Sequence, residues 1–295
     1  MILNNSPISQ FEYKNRTFFV KRDDLLDKNF NGNKARKLAF YLEHDFEEID
    51  TIISYGGNQS NLMYSLSCLA KLKNWQFIYY TRSLSKTVKN NKYSNLELSI
   101  KNGMQLIELG NEYSQFTSNL TITPNQLVIH QGAHQKEAAY GIKQLAAEIN
   151  TWAELNHLES INVFLPSGTG TTAFFLQKYL DKHKVITTNC VGSCDYLVEQ
   201  MNSISCNNSQ LPFIFDNQRY RFATPYKELL NLILEINKVS QIEFDLIYDP
   251  VGWKILLENL KTINGTILYL HCGGLTGNYS MLQRYNYLNN KSATS

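Results

Sequence analysis

Short apolar runs alternate with longer amphipathic segments along most of the chain. The short runs are typical of buried strands, and segments with apolar residues three or four positions apart are typical of helices. The predicted strands cover residues 17–22, 51–55, 75–81, 105–109, 126–132, 161–166, 184–192 and 266–274. The predicted helices cover residues 33–46, 61–73, 92–103, 137–156, 172–183 and 224–238. This alternation predicts an α/β protein with a mostly parallel sheet flanked by helices.

Four loops at predicted strand ends or helix starts are rich in glycine and polar side chains. In parallel sheets, ligands bind at the carboxyl ends of the strands, so these loops are the candidate site. They cover residues 31–36, 55–61, 166–172 and 271–277.

Loop 166–172, with the sequence PSGTGTT, has the composition of an anion site. Its glycines allow a close approach of the backbone, and the following helix offers free N–H groups and a positive dipole end. These groups bind phosphate, and Thr169, Thr171 and Thr172 add hydroxyl donors. The glycine spacing fits neither a Walker A loop nor the dinucleotide fingerprint. A strand-to-helix turn with a threonine cap is the alternative interpretation.

Loop 55–61 is richer in amides and also precedes a predicted helix. Asn58, Gln59, Ser60 and Asn61 offer donors and acceptors that suit a carboxylate or a ring hydroxyl. The alternative is a plain helix cap formed by Ser60 or Asn58.

Lys34 follows Gly32 at the start of a predicted helix. A lysine amine can form a Schiff base, and pyridoxal phosphate requires one lysine together with one phosphate cradle. The alternative is an exposed lysine that pairs with a nearby carboxylate.

Composition narrows the class of protein. The chain has 295 residues, of which 43% are hydrophobic and 18% charged, with a formal net charge of +2. This is an ordinary globular balance without a basic stripe, so nucleic-acid binding is not indicated. No apolar run approaches the roughly 20 residues of a membrane span, and no signal peptide is visible. The five cysteines suggest no disulfide framework, and a cytoplasmic location is expected.

Neither of two pairs of potential metal ligands predicts a metal site. His130 and His134 are four residues apart, but Gly132 between them indicates a loop, and no third ligand is evident. Cys190 and Cys194 do not have the spacing of a zinc knuckle or a redox pair.

The motifs together resemble those of a known enzyme family. VKRDDLLDKNFNGNKARKLAF (20–40), SYGGNQSN (54–61), PSGTGTTAFFL (166–176) and HCGG (271–274) occur in that order. They resemble the pyridoxal-phosphate family that holds 1-aminocyclopropane-1-carboxylate deaminase and D-cysteine desulfhydrase, in the tryptophan-synthase-β-like fold group. Segment 128–149 also resembles this family, and the likeness extends from residue 20 to about residue 277.

The resemblance implies an architecture and partners. It implies two open, mostly parallel twisted sheets flanked by helices. Residues 1–40 and 148–295 would form a large cofactor-binding domain, and residues 41–147 a smaller inserted α/β domain. The active site would lie in the cleft between them. It also implies a homodimer that acts on a small amino acid.

The resemblance also implies roles for individual residues. Lys34 would carry pyridoxal phosphate covalently and then move the α-proton of the substrate. Asn61 would bind the ring hydroxyl of the cofactor. Ser60 would hold the substrate carboxylate together with Asn58, Gln59 and Asn61, and would assist the chemistry. The cofactor phosphate would be bound by Gly168, Thr169, Gly170, Thr171 and Thr172.

Segment 243–254 resembles a degraded form of the family motif LDPxYTGK. In the ungapped register, Tyr248 takes the position of the active-site tyrosine, which stacks near the ring. A rival register aligns Asp249 and Pro250 with the motif's DP, and no tyrosine then follows. The ungapped register is preferred because it needs no insertion.

Several departures from the family pattern affect the chemistry. Cys272 replaces the threonine of HTGG, and both Cys272 and Asp249 are candidate partners of the pyridine nitrogen. A carboxylate would keep that nitrogen protonated, whereas a thiol would leave it closer to neutral and suit β-elimination. Leu62 stands where polar residues are frequent, and Asn31 replaces a glycine.

The leading hypothesis is therefore a lyase or deaminase that releases ammonia and an oxo acid, as D-cysteine desulfhydrase or 1-aminocyclopropane-1-carboxylate deaminase does. One alternative keeps the cofactor but changes the reaction to β-replacement or racemisation of a serine- or cysteine-like amino acid. Another is a non-catalytic protein that binds pyridoxal phosphate or phosphate.

Overall fold

The computed structural model describes residues 5–27, 29–30, 32–89, 91–116, 119–204 and 210–292. Asn31 therefore lies outside the described residues. The strands are β1 Ile8–Tyr13, β2 Arg16–Arg22, β3 Thr51–Tyr55, β4 Gln76–Thr81, β5 Met104–Glu108, β6 Gln126–Ile129, β7 Ile161–Ser167, β8 Lys184–Asn189, β9 Phe213–Phe215 and β10 Thr266–His271. The helices are α1 Asn33–Glu43, α2 Asn61–Lys73, α3 Lys86–Lys89, α4 Asn95–Lys101, α5 Tyr113–Phe116, α6 Ala138–Leu155, α7 Thr171–Tyr179, α8 Cys194–Ser203, α9 Lys227–Ser240, α10 Asp249–Glu258 and α11 Asn278–Ser292.

The strands form two sheets. The larger sheet has six strands in the order β1-β2-β10-β7-β8-β9, and the smaller has four in the order β5-β4-β3-β6. The paired strands are parallel, except for the antiparallel β1–β2 hairpin. Its turn residues Lys14 and Asn15 both have positive φ, as a two-residue turn that matches the strand twist requires. The predicted fold class of two mostly parallel sheets flanked by helices is confirmed.

The larger sheet is covered on both faces, which explains the apolar runs of its central strands. One face packs against α9, α10 and α11, and the other against α6, α7 and α8. Trp253 and Tyr269 stack on the first face, with ring centroids 4.2 Å apart. The carboxyl ends of β7 and β10 are therefore held by a packed core.

Helix α1 is fixed by a buried ionic cluster. The guanidinium of Arg36, 1% exposed, contacts Asp23 at 3.0 Å and Glu148 of α6 at 2.6 Å. Lys21 of β2 pairs with Glu148 at 2.6 Å, and the hydroxyl of Ser6 donates to Asp23 at 2.7 Å. Two positive and two negative side chains thus share one buried site. The cluster joins α1 to α6 and to β2.

Helices α1 and α6 also approach each other at their backbones. A Cβ built on Gly141 of α6 would lie 2.1 Å from the carbonyl oxygen of Arg36. Only glycine permits this contact, because any side chain would push the helices apart.

Several elements were not predicted from the sequence. These are β1, β9, α3, α5, α8, α10 and α11. Helix α10 begins at Asp249 with Pro250 in its first turn, where proline is well tolerated. The smaller sheet contains strands from residues 51–129 and the larger sheet strands from residues 8–22 and 161–271. The predicted domain boundaries at 40/41 and 147/148 stay a prediction.

Within the described ranges, no helix combines the length and the apolar character that crossing a membrane requires.

Candidate active site

A cavity of about 440 Å³ lies where β3, β7 and β10 end, and all four candidate loops contribute to its wall. It brings together nearly all of the site residues predicted from the sequence. Those that line it are Lys34, Asn58, Gln59, Ser60, Asn61, Gly168, Thr169, Gly170, Thr171, Thr172, Tyr248 and Cys272.

Lys34 is the second residue of α1 and lies on the cavity wall. Its Nζ donates to Asn33 Oδ1 at 2.6 Å. The backbone N–H of Asn33 donates to the carbonyl of Cys272 at 2.9 Å, which ties the start of α1 to the end of β10. Burial lowers the pKa of Lys34, although the nearby carboxyl group of Asp245 opposes the shift. A lowered pKa increases the fraction of neutral, nucleophilic amine.

Gly32 allows the chain to enter α1 beside β10. Its φ is 50°, and a Cβ there would lie 2.0 Å from the carbonyl oxygen of Cys272.

We expect Gly32→Ala to lower the free energy of unfolding by more than about 1 kcal/mol, because alanine fits neither the dihedral angle nor the space. Denaturant unfolding measures the loss. Gly57→Ala is the control, since nothing lies within 4 Å of the added Cβ. Equal stability of the two variants would contradict this explanation.

Loop 166–172 forms the turn into α7. Gly170 has a φ of 70° and directly precedes the helix, which begins at Thr171. The hydroxyl of Thr171 contacts Thr169 Oγ1 at 2.8 Å and His134 Nδ1 at 2.9 Å. Asn33 Nδ2 donates to Thr172 Oγ1 at 3.4 Å, which links the neighbour of Lys34 to this loop. The hydroxyls and the start of α7 therefore lie together on the cavity wall, where the predicted anion site requires them.

His134 contacts Thr171 of this loop. Its Nε2 contacts Ser203 Oγ at 2.8 Å. Within the described part of the chain, no three His, Cys, Asp or Glu side chains lie close enough together to hold a metal ion. Burial, with a smaller effect of the Lys37 charge, lowers the pKa of His134 from 6.5 to about 4.

This shift predicts a pH dependence of stability. Between about pH 6.5 and pH 4 the unfolded chain binds a proton at His134 that the folded protein excludes. Stability should therefore fall on acidification through this window. His134→Gln removes the titrating group, so the loss measured by denaturant unfolding from pH 7 to pH 4 should be smaller than in the wild type. Parallel pH profiles of the two proteins would contradict the prediction.

Lys37 is a cavity residue that sequence reasoning missed. It is 5% exposed, lies one turn after Lys34 on the same face of α1, and donates from Nζ to the carbonyl of Gly132 at 2.8 Å. Burial, reinforced by the charge of Lys34, holds the pKa of Lys37 well below its usual range. The spacing of three between two lysines on one helix was the available signal.

Loop 55–61 turns directly into α2. Ser60 is the N-cap, and its Oγ accepts from the backbone N–H of Met63 at 3.3 Å. The capping role considered for Ser60 is thus present, and the same residue lines the cavity. Asn61 Oδ1 accepts from Asn95 Nδ2 at 2.8 Å. Gln59 Oε1 is buried without a hydrogen-bond partner among the described residues, so it remains available to a ligand.

Tyr248 lies on the cavity wall beside loop 166–172. A Cβ built on Gly168 would be 3.4 Å from its hydroxyl, and its ring centroid is 5.2 Å from that of Phe222. Burial raises the pKa of Tyr248, which keeps the phenol protonated. This is the position that the ungapped register of segment 243–254 requires of an active-site tyrosine.

Asp249, in contrast, is not among the residues that line the cavity. It is fully buried at the start of α10, where Oδ1 accepts from the hydroxyl of Tyr269 at 2.7 Å and Oδ2 from the backbone N–H of Asp245 at 3.1 Å. Its carboxylate therefore faces the core, contrary to its sequence-based placement among cofactor ligands. Cys272 does line the cavity, and burial raises the pKa of its thiol, which stays neutral.

Asp245 is a second cavity residue that sequence reasoning missed. Its Oδ1 accepts from the backbone N–H groups of Ile247 at 2.6 Å and Tyr248 at 2.7 Å. It is the one acidic residue on the cavity wall within the described part of the chain. The sequence signal for Asp245 was its alignment with the aspartate of the family motif LDPxYTGK in the ungapped register of segment 243–254.

Comparisons with known proteins show what the chain is similar to. No family model matches the chain. A Thermotoga maritima protein assigned as a 1-aminocyclopropane-1-carboxylate deaminase is 23% identical over 289 residues, which cover 90% of this chain and 91% of its own. A D-cysteine desulfhydrase from Serratia proteamaculans is 23% identical over 290 residues, with coverages of 89% and 88%.

Solved structures share the fold. An ACC deaminase homologue superposes with a TM-score of 0.80 at 18% identity and covers 97% of this chain and 94% of its own. A hydrogen sulfide-producing enzyme from Fusobacterium nucleatum has a TM-score of 0.64 at 12% identity, with coverages of 94% and 97%. The chain thus has a tryptophan-synthase-β-like fold. The resemblance to the 1-aminocyclopropane-1-carboxylate deaminase and D-cysteine desulfhydrase family is confirmed.

Proposed function

We propose that this protein is a pyridoxal-phosphate enzyme that removes the α-proton of a small amino acid in an elimination, after which water hydrolyses the product to ammonia and an oxo acid. The observation that carries the proposal is the convergence of one half-buried lysine, Lys34, and a phosphate-type loop on a single cavity. The names of its relatives point to the same reaction class.

The cavity fits a phosphorylated cofactor. Lys37 is a buried amine whose hydrogen-bond partner among the described residues is a single carbonyl oxygen. A phosphate beside it would favour the protonated amine, because an opposite charge offsets the cost of burying a cation. The phosphate would be held by Lys37 together with Gly168, Thr169, Gly170, Thr171 and Thr172. Attached to Lys34, pyridoxal phosphate supplies an electron sink for negative charge at the substrate α-carbon.

The residues of the chain have separate tasks in this reaction. The amine of Lys34, its pKa lowered by burial, accepts the proton from the α-carbon. The start of α2, with Ser60 and the amides of loop 55–61, binds the substrate carboxylate. Asn61 binds the ring hydroxyl. The protonated phenol of Tyr248 covers one side of the cavity and can donate a hydrogen bond there.

The position of Cys272 favours β-elimination. Of the two partners predicted from the sequence for the pyridine nitrogen, the neutral thiol lines the cavity and the carboxylate of Asp249 does not. The carboxyl group of Asp245 also lines the cavity, but it already accepts from two backbone N–H groups. A neutral partner leaves the ring a weaker electron sink, which suffices when a good leaving group stands at the β-carbon. A desulfhydrase type of reaction is therefore preferred over opening of a cyclopropane ring.

A panel of D- and L-amino acids tests the proposal. The purified protein with bound pyridoxal phosphate should release ammonia and an oxo acid from at least one member, and sulfide if that member is cysteine. Formation of only the inverted amino acid would indicate racemisation instead. Normal cofactor binding without turnover of any member would favour a non-catalytic binding protein.

The architecture leads to three further parts of this proposal. Residues 1–40 and 148–295 form the large domain, residues 41–147 form the small domain, and the cavity is their cleft. The protein acts as a homodimer in the cytoplasm. Limited proteolysis and analytical ultracentrifugation test the domain boundaries and the oligomeric state.

A further inference from the structure

Asn95 is a buried residue outside the cavity that contacts two residues of loop 55–61. It is the first residue of α4 and is fully buried. Its Nδ2 donates to the backbone carbonyl of Gln59 at 3.0 Å and to Asn61 Oδ1 at 2.8 Å. Its Oδ1 accepts from Thr276 Oγ1 at 2.7 Å. One amide therefore joins the loop after β3 of the smaller sheet to the turn after β10 of the larger sheet.

A backbone carbonyl fixes the direction of these bonds. The oxygen of Gln59 can only accept, so the NH₂ group of Asn95 must face it. The second hydrogen of that NH₂ group is directed at Asn61, which must then present its oxygen. The NH₂ group of Asn61 is consequently turned away from Asn95, and it donates to no acceptor in the described part of the chain. Asn61 thus offers a donor to a ligand in the cavity.

We propose that Asn95 is a positioning residue that holds the amide of Asn61 with its NH₂ group towards the cofactor. The inference rests on the proposed function, in which Asn61 binds the ring hydroxyl. A ring oxygen that carries negative charge can only accept, so a reversed Asn61 would place two acceptors against each other. The hydrogen bonds from Thr276 to Asn95 and from Asn95 to Asn61 hold the Asn61 amide in the other orientation before a ligand binds, so the two acceptors do not meet.

Asn95→Asp tests the proposal while keeping the shape of the side chain. A carboxylate has no hydrogen to donate to Gln59 or Asn61, so the Asn61 amide should rotate to donate to it. We expect the affinity for pyridoxal phosphate to fall about tenfold, as loss of a hydrogen bond predicts. The intensity ratio of the long- and short-wavelength absorbance bands of the bound cofactor should also change.

Asn102→Asp is the matched control at the other end of the same helix, where Asn102 is the C-cap of α4. Asn102 Nδ2 donates to Ser67 Oγ at 3.0 Å and contacts Cys68 Sγ at 3.4 Å. It therefore has the same kind of role in packing α4 against α2, but its side-chain hydrogen bonds within the described residues do not reach loop 55–61. This variant should keep the cofactor affinity and the absorbance spectrum of the wild type. A wild-type spectrum for Asn95→Asp, or the same spectral change in both variants, overturns the proposal.

A measurement without cofactor separates this inference from the proposed function. In the cofactor-free chain, Asn95→Ala and Asn61→Ala are measured singly and together. The effect of the double substitution on the unfolding equilibrium constant should differ from the product of the two single effects by about twofold or more. For Asn102→Ala combined with Asn61→Ala, the effect on the unfolding constant should equal the product of the two single effects. Multiplicative behaviour of the first pair overturns the contact and the proposal. If the wild type binds no pyridoxal phosphate, the proposed function fails, and the cycle alone then decides whether Asn95 orders Asn61.

Discussion

Replacement of Lys34 with alanine should abolish covalent attachment of pyridoxal phosphate and reduce turnover by about a thousandfold or more. The expectation follows from its two tasks, since the same amine holds the cofactor and moves the α-proton, and a lost proton-transfer group alone costs about 10²–10⁴ in rate. Borohydride reduction followed by peptide mass spectrometry locates the attached cofactor. Initial rates on the amino-acid panel measure the loss of turnover.

Lys37→Ala is the informative counterpart, because Lys37 lies one turn away on the same helix and also lines the cavity. It should keep the covalent attachment at Lys34 but bind the cofactor more weakly, since the phosphate loses a cation. If the cofactor stays covalently attached in Lys34→Ala but not in Lys37→Ala, then Lys37 is the residue that carries it. That result would refute the assignment of Lys34 as the attachment site.

Arg36→Met should lower the free energy of unfolding by about 3–5 kcal/mol. The substitution keeps a long side chain but removes the guanidinium that contacts Asp23 and Glu148, and it leaves Asp23 buried without its cation. Removal of one partner from a buried ion pair has an effect of this size. Urea unfolding monitored by circular dichroism gives the free energy.

The same substitution at an exposed pair is the control. Arg219 contacts Glu258 on the surface, where both partners are well solvated. Exposed ion pairs contribute little, so Arg219→Met should leave the stability nearly unchanged. Equal losses in the two variants would mean that burial of the cluster does not determine its contribution.

The sequence predicted elements best where a repeating pattern met a capping residue. Helix α2 was predicted over 61–73, and the structure has it at Asn61–Lys73 with Ser60 as its cap. Strand β1 was missed because its residues are only partly buried and pair at the edge of the sheet. Helix α10 was missed because segment 243–254 was interpreted through its resemblance to the family motif LDPxYTGK and not for its helical pattern.

The site was predictable where its chemistry is local. Glycines and threonines that directly follow a strand predict an anion site, even when the rest of the fold is unknown. Lys37 and Asn95 could not be assigned in this way, because their roles depend on which loop packs against them. Asp249 shows the converse, since a carboxylate in a promising motif is turned into the core by the start of α10 and held there by Tyr269.

The backbone contact between Gly141 and Arg36 has a mechanical consequence for the two amines in the cavity. Helices α1 and α6 cannot slide or rotate past each other while a carbonyl oxygen occupies the space of a missing side chain. Lys34 and Lys37 are therefore carried on one rigid unit. The spacing between Lys34, the proposed covalent anchor, and Lys37, the proposed partner of the phosphate, is set by this unit.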